Sequence, residues 1–227
     1  VSSTGSLAGS VNVNHGGQFM GEGAVGATTV QPGGTIYPGT VAAPLTINGQ
    51  FTQSTGSGFT AEVSPTASDL IIVNGNAQIH PGTTLSLVVD PGTYSVGTKY
   101  QILTATNGVN GTYTNFVAPS PGPNLIFKPV YLPNEIDLTI NSSLTPLSQT
   151  QNQFSAASTL DQLSGLPGGG GGIANPHGFV PGTFAGGLPS TINQLASLSP
   201  AQAANALNQI SGDIYASIGT VEQQTTV

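Results

Sequence analysis

The sequence predicts an all-β fold: a right-handed parallel β-helix closed by a C-terminal β cap and followed by a short helical and Gly-rich linker. Three observations predict it. Short alternating apolar segments recur at a regular spacing, Gly and Asn turns separate them, and the surface is almost free of charge. Only 5% of the 227 residues are charged, against about 25% in an ordinary soluble domain. Stacked coils bring side chains of one column directly above each other, where like charges are destabilising. Ser, Thr, Asn and Gln on the outside avoid that cost.

The repeat is read from four segments. Val11 to Phe19, Thr28 to Ile36, Leu45 to Phe51 and Ile71 to Ile79 each give an alternating strand, a Gly or Asn turn and a second strand. The anchors Val13, Val30 and Ile47 stand 17 residues apart, and Val73 follows after 26, leaving room for an extra strand over Gly58–Val63. Tyr37 and His80 both precede Pro-Gly and are expected to share one slot. Turns of this kind need Gly or Asn where φ is positive. A single coil cannot bury its apolar face, but coils stacked about 4.8 Å apart can. An antiparallel sandwich also shows short strands and turn signals; the fixed spacing favours the helix and predicts an elongated monomer.

Coils are therefore expected over residues 1–90. From Leu85 the segments lengthen, and 91–145 carries the dense aromatics Tyr94, Tyr100, Tyr113, Phe116, Phe127 and Tyr131, suited to covering an open coil edge. Residues 146–227 read as linker. The spacing predicts a helix over 151–163 with Phe154, Ala157, Leu160 and Leu163 on one face and Gly165 as its stop. Leu166 to Gly172 are expected to be a flexible hinge. Ser199 and Pro200 start a second helix by cap and first-turn proline. Its apolar stripe is Ala203, Leu207, Ile210, Ile214 and Ile218, and it is expected to be only loosely docked in the isolated chain.

Composition excludes several functions. Two basic residues against nine acidic ones give a net charge of -7, so no basic face exists for nucleic acid or an anionic membrane. The acidity is too dilute for a calcium-loading protein. No Cys occurs, which removes disulfides and thiolate metal sites. No stretch is apolar enough to span a bilayer as a helix. The chain opens at Val1 in mid-pattern and is expected to come from a longer one.

Chemistry-bearing residues are few. His80 lies near Asp69 and Asp90 in sequence, but its place before Pro-Gly makes it an outward turn residue. His15 aligns with Pro32, another turn position, and His177 falls in the Gly/Pro stretch; this scatter does not make a metal site. Glu135 and Asp137 lie one pleat apart on a strand, and two such carboxylates could serve glycoside hydrolysis. The plainer expectation is a solvated strand face opposite Ile136, Leu138 and Ile140. The run from Gly92 to Lys99 misplaces the lysine of a phosphate loop, and no Gly-x-Ser-x-Gly elbow occurs. Asn110-Gly-Thr112 and Asn141-Ser-Ser143 fit the glycosylation pattern without further support. No catalytic, cofactor or metal residue is therefore assigned, and no enzymatic activity is expected.

Three stretches carry a family resemblance. Residues 96–113 (VGTKYQILTATNGVNGTY) resemble the passage closing the autochaperone region of a pertactin-like type V autotransporter passenger. Residues 125–140 (LIFKPVYLPNEIDLTI) resemble its following strand pair, and 195–217 (LASLSPAQAANALNQISGDIYAS) the segment before the translocating barrel. The resemblance implies a structural stem and folding cap of a surface-displayed passenger, exported through the periplasm to the outer membrane. It also implies a partner, the translocator β-barrel of the same polypeptide, expected after Val227 and met by the stripe Ala203, Leu207, Ile210, Ile214 and Ile218. Two other readings stand beside it: an adhesin surface that binds a host-surface ligand through the Thr/Asn-rich flank, and a polysaccharide-active fragment.

Overall fold

The computed structural model describes residues 5–39, 43–164 and 188–212. The described chain is mostly β and divides into two compact units. The first comprises the described parts of residues 1–93, 99–119 and 128–138, the second those of 94–98, 120–127 and 139–227.

In the first unit the chain alternates between two sheets. The larger receives β1 (Ser6–Leu7), β2 (Val11–Val13), β4 (Gly23–Val30), β6 (Leu45–Gln53), β8 (Ile71–Val73), β9 (Ala77–Ile79), β11 (Lys99–Ala105) and β12 (Val109–Asn110). The smaller receives β3 (Gln18–Met20), β5 (Thr35–Tyr37), β7 (Gly58–Val63), β10 (Thr84–Val89) and β13 (Asn115–Val117). The pairings from β1 to β13 are parallel. β14 (Leu125–Leu132) and β15 (Glu135–Ser142) extend the larger sheet beyond β11, in the order β11-β15-β14.

Alternation decides what is buried. In β7, Phe59, Ala61 and Val63 are wholly buried, while Gly58, Thr60 and Glu62 are partly exposed. The inward residues form register columns. Phe19, Ile36, Phe59, Leu85 and Phe116 stack through the smaller sheet. Val25, Ile47, Val73 and Ala105 stack through the larger one. Each large apolar side chain buried this way contributes about 1.5–3 kcal/mol.

These columns correct the repeat. Val13 pairs with Val30 at a step of 17, but Val30 pairs with Gln53, and Gln53 with Ile79, so the steps grow to 23 and 26. Ile47 belongs to the other column, beside Val25 and Val73. The cause is β6, a nine-residue strand whose two ends serve two columns. Its first end, Leu45-Thr-Ile47-Asn48-Gly49, imitates the strand-and-turn pattern of the second.

The turns carry a column of their own. Gly16, Gly33, Gly56 and Gly82 all lie in the left-handed region, with φ between 73° and 84°. The Gly16 N–H donates to the Gly33 carbonyl at 3.0 Å, Gly33 to Gly56 at 2.9 Å and Gly56 to Gly82 at 3.1 Å. The Gly82 N–H ends the series on Thr114 Oγ1 at 2.8 Å. Peptide groups that a turn would leave unpaired are thus satisfied by the next turn.

Among the described residues, the second unit is built around the helices α1 (Gln151–Ser164), α2 (Leu188–Ser197) and α3 (Pro200–Ile210). Leu144, Ala157, Leu195, Ala203 and Leu207 form its core. Ser199 caps α3 with a reciprocal box to Gln202, and Pro200 stands in the first turn, as its sequence requires. α1 matches the expected helix, but Phe154 is 47% exposed. Gln153 takes the inner place, accepting from the Gln149 N–H at 2.7 Å and donating to Asn208 Oδ1 at 3.2 Å. α2 was not expected, because its Leu-Pro start follows a Gly/Pro stretch that masks it. Against the expectation of loose docking, α3 buries Ala203 and Leu207 completely, since α1 and α2 supply the apolar wall. Ile210 is 52% exposed, and Ile214, Ile218, Gly165, His177 and the 166–172 hinge lie outside the described residues.

Candidate functional site

His15 and His80 are both exposed turn residues. His80 does not share the slot of Tyr37. Its N–H donates to the Gln53 carbonyl at 3.0 Å, as Ser54 donates to Val30 and Gln31 to Val13 at 2.9 Å. It therefore stacks with Gln31 and Ser54, whereas Tyr37 ends a strand of the other sheet.

Glu135 and Asp137 are corrected more sharply. The expected solvated face is braced by β11: Lys99 Nζ lies 2.9 Å from Asp137 Oδ2, and Gln101 Nε2 donates to Glu135 Oε2. Asp137 is only 3% exposed. A carboxylate buried at that level needs a partner, and one of the chain's two cations supplies it. The Asp137 hydrogen bond and charge in turn hold the Lys99 ammonium above its ordinary titration range. Each carboxylate thus has its own cross-strand partner, which suits a brace between β11 and β15 better than an acid–nucleophile pair.

A second acidic group escaped the sequence reading. Asp69 is wholly buried. Its Oδ2 accepts from the Glu62 N–H at 2.8 Å. Glu62 Oε2 in turn accepts from the Tyr37 hydroxyl at 3.2 Å. Burial first, then the charges of Glu62 and Glu22, push the Asp69 carboxyl up to about 6 against the pull of the Glu62 N–H. Burial and the neighbouring carboxylates push Tyr37 up to about 12. Nothing in the sequence around Ser-Asp-Leu marks this aspartate as buried; the signal was only its position between two strands.

The most densely bonded carboxylate is in the second unit. Asp161, on α1, accepts from Ser142 Oγ at 2.6 Å, the Leu144 N–H at 2.8 Å, the Thr145 N–H at 2.8 Å and Thr145 Oγ1 at 2.6 Å. The acceptor sits where the 3-10 turn Thr145–Leu147 begins, so α1 caps a turn it does not belong to. Asn124 plays the converse part: its Nδ2 donates to the Leu198 carbonyl at 2.8 Å, beyond the end of α2. Asn193 Oδ1 accepts from the Val96 N–H at 2.7 Å. These contacts lock the helices of the second unit to the segments beside them. Among the described residues, no three His, Asp or Glu are grouped to hold a metal ion, and no helix is long and apolar enough to cross a membrane.

The chain is similar to an extracellular protein. Over 171 residues, 70% of its length, it is 28% identical to the extracellular serine protease of Serratia marcescens. The matched stretch is 16% of that protease, so this chain spans a small part of the relative. No family model matches the chain.

Proposed function

We propose that the chain is the structural stem and folding cap of a secreted, surface-displayed autotransporter passenger. In this reading the parallel strands wind as a right-handed β-helix, and the second unit leads towards a translocator β-barrel of the same polypeptide. The chain assists folding and passage across the outer membrane and has no catalytic role of its own. One observation carries the reading: in-register parallel columns run from β1 to β13 and are followed in sequence by an interlocked helical unit held by Asp161 and Asn124. Stacked coils gain stability only from neighbours, so growth needs a locally stable end. The likeness to an extracellular protease supports export.

Placing the chain between a reporter domain and an outer-membrane barrel tests it. Intact cells should then display a protease-resistant reporter. Deleting residues 139–212 should leave the reporter unfolded or undisplayed, and equal display with and without them would refute the role.

A second reading is favoured by one feature. Asn12, Thr29, Thr52, Gln78 and Asn110 fall in one outward register column of the larger sheet. Such an uncharged ladder of amides and hydroxyls suits adhesion to a host-surface ligand. Adhesion requires that the purified chain itself bind host cells, and that charge placed at Thr52 abolish the binding.

A further inference from the structure

Asp69 fits its surroundings poorly in its charged form. It closes an excursion over residues 64–68 that leaves the end of β7 and returns as an antiparallel bridge between Val63 and Ser68. The Asp69 N–H donates to the Glu62 carbonyl at 2.9 Å, while Asp69 Oδ2 accepts from the Glu62 N–H at 2.8 Å. The two residues thus clasp each other across the base of the excursion. Inside it, the Ser64 N–H donates to the Ala67 carbonyl at 2.8 Å. The Tyr100 hydroxyl donates to the Pro65 carbonyl at 3.1 Å, and Ser68 Oγ to the Gln101 carbonyl at 3.2 Å.

Asp69 Oδ1 is buried and has no hydrogen-bond partner. A buried carboxylate oxygen without a donor is costly, whereas the neutral acid is far less so. The other titratable groups around it add to the cost. Glu62 on β7 and Glu22 ahead of β4 both oppose its charge. Tyr37, at the end of β5, gives its hydroxyl hydrogen to Glu62, and Asp90 beyond β10 acts on that same hydroxyl. The groups that act on Asp69 through charge are all acidic.

We propose that the Glu62–Asp69 clasp is a proton-operated latch on the 64–68 excursion, closed while the Asp69 carboxyl is neutral and loosened when it ionises. The neutral acid keeps Oδ2 on the Glu62 N–H and removes the charge that Oδ1 cannot share. Opening the excursion lets water reach the carboxylate, so ionisation favours the open form. The sign follows from linkage. A carboxyl whose closed-form pKa lies above its open-form value adds stability that is fully present below the open-form value. That stability is lost as pH rises through the closed-form one. With the closed-form value at about 6 and the open-form value near 3.8, opening should become about tenfold more favourable between roughly pH 5 and pH 8.

Amide hydrogen exchange on the whole chain, corrected for the intrinsic pH dependence of exchange, reads this directly at Glu62 and Asp69. In the native chain, protection of both amides should fall about tenfold from roughly pH 5 to pH 8. Asp69→Asn, a permanently neutral side chain of the same shape, should hold it constant. Glu62→Gln, which leaves Asp69 ionisable but removes a neighbouring charge, should move the midpoint to lower pH. A native chain with no pH dependence, an equal fall in Asp69→Asn, or an unmoved midpoint in Glu62→Gln would each overturn the latch.

Discussion

Replacing Asp161 by Asn is the sharpest perturbation of the helical unit. The native carboxylate meets only donors: the N–H groups of Leu144 and Thr145 and the hydroxyls of Ser142 and Thr145. An amide offers one oxygen and one NH2, so whichever way it turns, its NH2 faces a backbone N–H that cannot accept. The hydroxyls can rotate and adapt; the N–H groups cannot. Hydrogen bonds to a charged acceptor contribute about 1.5–3 kcal/mol, and an orphaned donor costs about 1–3 kcal/mol. The expected loss for the second unit is therefore about 2–4 kcal/mol. In hydrogen exchange this lowers the protection of α1 amides around Ala157 by roughly 30- to 1,000-fold, with β6 amides as the internal reference. A fall of less than about threefold would refute the lock.

Leu207→Ala should cost about 2–5 kcal/mol because the side chain is wholly buried, while Ile210→Ala, at a 52% exposed position, should cost less than about 0.5 kcal/mol; urea titration separates them. Gly33→Ala should destabilise by about 1–2 kcal/mol, since φ is 76° and a Cβ would approach the His15 ring at 2.5 Å, whereas Gly9→Ala meets nothing within 4 Å. Asp69→Asn should raise stability at pH 8 by up to about 3 kcal/mol and leave it unchanged near pH 4. The reason is that burial raises the native carboxyl from 3.8 to about 6; thermal melts across pH measure it.

Much of the fold was legible because the inward column is written in the chain as alternation. The alternating run Gly58–Val63 read as a strand before any pairing was known. The register was less legible, because Ile47-Asn-Gly and Val13-Asn-His-Gly-Gly look alike locally, and only pairing decides which column each joins. Helix ends were legible where a cap writes them, as at Ser199-Pro200. The interior of the helical unit was not. Gln153 takes the inner place where its amide meets the Gln149 N–H and Asn208, and Asn208 lies far along the chain. The acidic residues misled for the same reason. Asp137 is buried because Lys99 lies across from it, and Asp161 is a hub because residues 142–145 present four donors to it. Neither partner lies within a local window.

The proposed role requires that stability begin in the C-terminal half and spread to the parallel strands. Folding φ-values measure it with the chain intact. Leu144→Ala and Leu207→Ala, in wholly buried positions of that half, should give φ near 1. Val30→Ala, equally buried in an N-terminal column, should give φ near 0. Values that are equal, or reversed, would contradict the account.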